Sequence, residues 1–396
     1  MLQKLSFSII FVLIGCTDQI SIQEIPNPTS DNSKYPRLTT DNSGSVFMSW
    51  YEVEADSTLL KYAVLENEDV WGQPNLIEAS DSWFVNWADF PSVVSINGEP
   101  IAAHWLDKVP GNKYSYNVTL KSLQSGDVTI AHDDNTLTEH GFVSMQSTSD
   151  STFYAVWLDG RNTGNSRGHD SHVVNLASAM TIRGAEFDSN LNKISEYEID
   201  QTTCDCCNTA LTQIPGSLIV AYRNRTESEV RDIYVSRFDG TTWDEPSPVH
   251  NDNWEIAACP VNGPALSSWD KTIALAWFTG ANDLPQVKLS FSKDAGLNFD
   301  SPIILDSESV IGRVDVQMVD PNTVWISYLN RVDGAAELTL TKITSDGQIE
   351  ETISIPNLDP SRATGFPQIT KKGDAILVAW TDISSETPSI KTAVIR

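Results

Sequence analysis

The sequence predicts an all-β protein, a seven-bladed β-propeller closed by pairing its N-terminal strand with its C-terminal blade. Three observations carry this. A short apolar run ending in Trp or Tyr recurs at intervals of 51 to 65 residues. Around each run lie other short strand-like segments separated by turn residues, about four to a repeat, and nothing of helical period competes over a comparable length. The two chain ends are complementary parts of one such repeat. A period near fifty residues built of four strands is that of a propeller blade, whose faces are buried only by stacking on neighbours around an axis.

The repeats follow in order. The first centres on VFMSW ending at Trp50, after PRLTT, and the second on IAAHW at Trp105, after FPSVV. FYAVW at Trp157 and LIVAY at Tyr222 mark the third and fourth. The fifth, IALAW at Trp277, follows GPALSS and precedes QVKLSFS and SPIILD. VWISY at Tyr328 follows VDVQMV, and AILVAW at Trp380 follows FPQIT. The recurrent aromatic fills the space between blades and accounts for most of the twelve tryptophans. His104 shares a column with Ser49, Ala221 and Ala379 and reads as a packed core histidine. The seventh repeat ends at IKTAVIR with three strands. ISIQEIP near the N-terminus resembles the strand ISIPNLDP ahead of the last repeat, so Ile20–Ile25 is expected to supply the fourth and remove an exposed edge.

The first fifteen residues read as a signal peptide: Lys4, an apolar run from Leu5 to Ile14, then Gly15. The run is too short to span a bilayer, and no later one is long enough. Leu13-Ile14-Gly15-Cys16 resembles a bacterial lipobox, which implies cleavage before Cys16 and its acylation. By the same resemblance Thr17 directs the protein to the outer membrane. Residues 16–396 then form one propeller domain on a short tether at 16–19. The net charge of −27 excludes nucleic acid and anionic head groups as partners, leaving the lipid anchor as the membrane contact.

Ser292 to Phe299, SKDAGLNF, matches the Asp-box pattern S-x-D-x-G-x-x-W/F, and Ser236 to Trp243, SRFDGTTW, is a degenerate copy with Asp239 one place late. Both suit tight turns between outer strands, with the aromatic tucked beneath. The pattern resembles the sialidase/BNR-repeat superfamily, and TCDCC with CPVNGP is similar to one branch of it. Family sialidases have six blades, whereas this chain reads as seven.

The interblade loops and those joining each blade's second and third strands share one face. That rim collects Cys204, Cys206, Cys207 and Cys259, and the histidines His132, His140, His169, His172 and His250. Arg161, Arg223, Arg225, Arg231, Arg313 and Arg362, with Trp83, Trp87 and Trp254, join them. The opposite-face turns hold no histidine or cysteine.

Cys204, Cys206 and Cys207 lead into blade four and Cys259 into blade five, so the four sulfurs are expected to meet. Three readings stand open. Two disulfides are the default in an oxidising compartment, although bridging within C-x-C-C is strained. A soft metal, copper or zinc, suits thiolates with His169, His172 and His250 nearby, although the cluster is not read as the C-x₂-C of ordinary zinc folds. A labile redox disulfide is the third. In CPVNGP, Pro260 and Pro264 restrict the backbone and Gly263 permits a tight bend, which fixes Cys259.

By resemblance, sialidases bind a carboxylate through three arginines. Arg223, Arg225, Arg231 and Arg313, with Asp232 and Trp254, are the candidate ligand-binding residues. The competing reading is a salt-bridged network of Arg225, Glu229, Arg231 and Asp232 that holds a long loop. Glu229, Asp232 and Asp159 are rim carboxylates, but no motif assigns a catalytic residue, and whether the protein is an enzyme stays open. The expectation is an exported, lipid-anchored propeller with a Cys/His/Arg-rich site for a metal, small molecule or glycan. A disulfide-stiffened scaffold for a protein partner and a glycoside hydrolase acting on acidic sugars are the alternatives.

Overall fold

The computed structural model describes residues 20–66, 69–110, 114–164 and 176–396. Seven four-stranded antiparallel sheets form the propeller, as expected. Six blades span residues 33–80, 93–130, 140–203, 210–248, 265–307 and 310–358, each running outward from the axis in chain order. The seventh combines Gln368–Lys372, Ala375–Asp382 and Ser389–Ile395 with the N-terminal strand Ile22–Ile25. Ile22 pairs with Ile395 and Ile25 with Thr392, and Ser21 N donates to Arg396 O at 2.9 Å. Among the described residues no helix is long and apolar enough to cross a membrane.

The second strand of each blade is covered on both faces, so it reads as a continuous apolar run. Ser217–Arg223 is buried at every position. Trp50, Trp157, Trp277 and Tyr222 are at most 1% exposed. A buried indole N–H needs an acceptor, and a carboxylate two residues on supplies it: Trp105 Nε1 donates to Asp107 at 2.9 Å and Trp157 Nε1 to Asp159 at 2.8 Å. His104 is buried, and its Nδ1 accepts from Ser92 N at 3.2 Å.

The Asp-box turn joins Gln286–Ser292 to Ile303–Ser307 on the face opposite the cysteines. Asp294 Oδ1 accepts from Asn298 N and from Ser292 Oγ, both at 2.9 Å, while Phe299 packs on Ile214, Ile219 and Ile273. In the degenerate copy Asp239 Oδ1 accepts from Thr241 N and Thr242 N, each at 2.8 Å. Asp188 builds a third such turn without the sequence pattern, accepting from Asn190 N and Asn192 N at 2.9 Å.

The innermost strands line an axial cavity of about 420 Å³. It extends towards the Asp-box face past Thr40, Ser95, Gln213, Ser268 and Thr370. Its cysteine-side end is lined by Phe90, Phe366 and Asn208. Trp87 stacks on Phe366 with ring centroids 5.6 Å apart.

Candidate metal centre

Cys204 to Thr209 link the outermost strand of blade three, Lys193–Thr203, to the innermost strand of blade four, Ala210–Ile214. Cys204 N donates to Arg223 O at 2.9 Å, which fixes the start of the loop. Cys204 and Cys207 are buried, Cys206 is partly buried and Cys259 is exposed, all four as free thiols. Cys204 Sγ lies 3.3 Å from Cys207 Sγ and 3.9 Å from Cys206 Sγ. Cys259 stands at the edge of this trio, close enough that it is among the groups raising the Cys206 thiol. Counted from Cys204 to Cys207 the loop contains a C-x₂-C pair, a spacing that the C-x-C-C reading passes over.

The loop is clasped by charge. Arg231 Nη1 donates to Cys204 Sγ at 3.3 Å, while its Nη2 holds Glu229 Oε2 at 2.8 Å. Glu229 Oε1 accepts from Arg225 Nη2 at 2.6 Å, and Arg225 Nη1 reaches Asp205 at 3.3 Å, back in the cysteine loop. Burial alone would raise the Cys204 thiol, but hydrogen bonds from Cys206 and Cys207 and the Arg231 charge outweigh it and hold Cys204 well below the ordinary thiol range. Cys206 is raised by its hydrogen bonds to the other thiols, and Cys207 chiefly by burial. Arg231 thereby sets a positive charge against one of three converging sulfurs, and thiolate is the form in which cysteine binds metal.

The motif CPVNGP holds the neighbouring loop against this one. A Cβ on Gly263 would lie 2.0 Å from Asn208 O, so only glycine permits the approach. Val261 takes a φ of 49°, an outlier conformation for a β-branched residue. Asn262 O accepts from Arg223 Nη2 at 2.7 Å, and Asn262 Oδ1 accepts from Arg313 N at 2.7 Å.

The four candidate arginines do not converge on one point. Buried Arg223 donates to three carbonyls, Asn262 O, Arg231 O and Phe278 O, and lies 4.8 Å over the Trp254 ring. Arg225 and Arg231 share Glu229. Arg313 donates to Gly365 O and Ser361 O at 3.0 Å each and stacks on Trp87, with burial and then the Arg362 charge bringing it down to about 10. Asp232 is outside the ion-pair network. It accepts from Asn253 N and Trp254 N, at 2.9 and 3.0 Å, and burial raises it. Arg225, Glu229 and Arg231 do form the loop-holding network. His250 is exposed, lies 3.8 Å from Asp252 and is not among the ligand atoms that converge at the thiols. His169, His172 and Cys16 lie outside the described residues.

A second group had only its histidines noted from sequence. His132, Asp134 and His140 bring their ligand atoms within 4.8 Å of one another in the loop between blades two and three. Its sequence signal is the H-x-D-x₅-H spacing of HDDNTLTEH.

No family model and no curated protein matches the sequence. Among solved structures, the Hadza microbial sialidase Hz136 superposes with a TM-score of 0.50 at 12% identity, over 92% of this chain and 65% of that one. The fold is sialidase-like. The chain spans less than two thirds of that sialidase's length. Trypanosoma rangeli sialidase in complex with the inhibitor DANA gives 0.49 at 11% identity, over 82% of this chain and 56% of that one. The α-L-arabinofuranosidase Arb93A from Fusarium graminearum gives 0.46 at 11%, over 92% and 93%.

Proposed function

We propose that this is an exported propeller, anchored to the outer membrane through acylated Cys16, whose cysteine loop binds a soft metal ion, copper(I) or zinc. The carrying observation is the convergence of the Cys204, Cys206 and Cys207 sulfurs, with Arg231 Nη1 donating to the Cys204 sulfur. Polarisable sulfur favours copper(I) and zinc over oxygen-seeking ions. Cys259 supplies the neighbouring fourth sulfur from the exposed side. In a metal complex Arg231 would offset the negative charge of several thiolates while Glu229 holds the guanidinium in place. Competition with a chromogenic chelator tests the metal reading on the reduced chain carrying Cys16→Ser. One copper(I) or zinc ion is expected to be retained by the sulfurs, and Cys206→Ser to bind one equivalent fewer. Failure of the parent to retain either ion overturns the reading. Incorporation of labelled fatty acid, abolished by Cys16→Ser, checks the anchor.

A further inference from the structure

We infer that His132, Asp134 and His140 form a second cation site, separate from the thiols and suited to a borderline divalent ion of the zinc class. His132 Nδ1 lies 2.7 Å from Asp134 Oδ1, and His140 Nε2 lies 3.1 Å from Asp134 Oδ2. The two imidazoles stack face to face, centroids 3.6 Å apart and planes 8° from parallel, so each presents a nitrogen to one carboxylate. His140 is fully buried and His132 is 5% exposed.

One imidazole proton cannot satisfy this arrangement. Both nitrogens of His140 face acceptors: Nδ1 faces Thr138 O at 3.3 Å, and Nε2 faces Asp134 and, at 3.7 Å, Asp159 Oδ1. A neutral imidazole carries one proton. With that proton on Nδ1, the Nε2 lone pair points at two carboxylates, a position that a cation stabilises. Among the described residues His132 Nε2 is buried with no hydrogen-bond partner, so Asp134 is the one hydrogen-bond partner found for that ring.

Asp134 Oδ2 also accepts from Thr136 Oγ1 at 2.7 Å, while the nearest cation is engaged mainly by other carboxylates. Asp159 is matched by Arg161 Nε and Nη2 at 2.8 and 2.9 Å and by Trp157 Nε1. Arg161 also approaches Glu196 at 3.3 Å but stands 3.9 Å from Asp134. Two imidazole nitrogens and one carboxylate are the donor set of three-ligand divalent sites that keep a position open. Binding would release the proton that His132 Nδ1 shares with Asp134.

Cobalt(II) and zinc are the probes. Cobalt(II) held by nitrogen and oxygen gives d–d bands without the sulfur charge-transfer absorption of a thiolate site, which separates this centre from the cysteine loop. In Cys206→Ser, zinc titration is expected to show one remaining site, weakened more than about tenfold by Asp134→Asn or His140→Gln. Thermal melts report whether each variant folds. Asp134→Asn keeps the side-chain shape, and in the otherwise unaltered chain it should remove only the nitrogen–oxygen cobalt bands. Absence of those bands from the unaltered chain, or their survival in Asp134→Asn, would overturn the inference.

Discussion

Gly263 meets the backbone of Asn208 so closely that a Cβ there would sit 2.0 Å from the Asn208 carbonyl oxygen. This contact joins the loop carrying Cys259 to the loop carrying Cys204, Cys206 and Cys207. Gly263→Ala must push the two apart, because the obstructing atom is main chain and cannot rotate away. Overpacking of this kind costs about 3 kcal/mol. The expected outcome is a lowered melting temperature together with weaker copper(I) retention, read by calorimetry and chelator competition on the same sample.

Arg223 serves as scaffold. Its guanidinium bonds three carbonyls from three segments, and each would be left without that donor if it were removed. Leaving buried acceptors unpaired costs about 1–3 kcal/mol apiece. Arg223→Met is therefore expected to lower the urea midpoint by the equivalent of at least about 3 kcal/mol. An unchanged midpoint would show that the carbonyls find other donors.

Asp89 gives the fold a pH dependence of defined sign. Burial pushes its carboxyl from 3.8 up to about 7, against the hydrogen bond it accepts from Phe142 N at 2.7 Å. The folded state therefore binds the proton more tightly than the unfolded chain. Its contribution to stability is complete below about pH 4 and declines until about pH 7. Asp315, raised by burial to about 6, adds to the same decline. Asp89→Asn keeps an acceptor for Phe142 N and removes one titration. Denaturation across pH 4 to 8 should show a shallower decline in the variant than in the parent.

Ring closure depends on four residues at the N-terminus. Removing residues 20–25 exposes the edge of Ser389–Ile395, which Ile22–Ile25 covers. An unpaired edge strand recruits other chains. Light scattering on heating should show earlier aggregation of the truncated protein, and an unaltered profile would mean that the last blade is stable with three strands.

The fold was legible because burial on both faces forces every second strand into a continuous apolar run ending in an aromatic, and because the N-terminal and C-terminal strands complete one blade. The crowding of cysteines was equally visible. Its contacts were not: Arg231 is 27 positions from Cys204, and only the folded loop sets its Nη1 against that sulfur. Adjacency in the arginine-rich stretch did not carry over into one site, since Arg223 turns to backbone carbonyls while Arg225 and Arg231 share Glu229. Asp134 was marked only by its place in the H-x-D-x₅-H spacing, among many acidic loop residues. It stands out only once His132 and His140 are seen stacked on its two oxygens.

An intact native mass spectrum of the mature chain as isolated, with Cys16→Ser to prevent acylation, tests the central claim most directly. The account predicts bound copper or zinc, with one equivalent lost in Cys206→Ser. A spectrum with no adduct, and a mass short of the hydrogens that two disulfides remove, would contradict it.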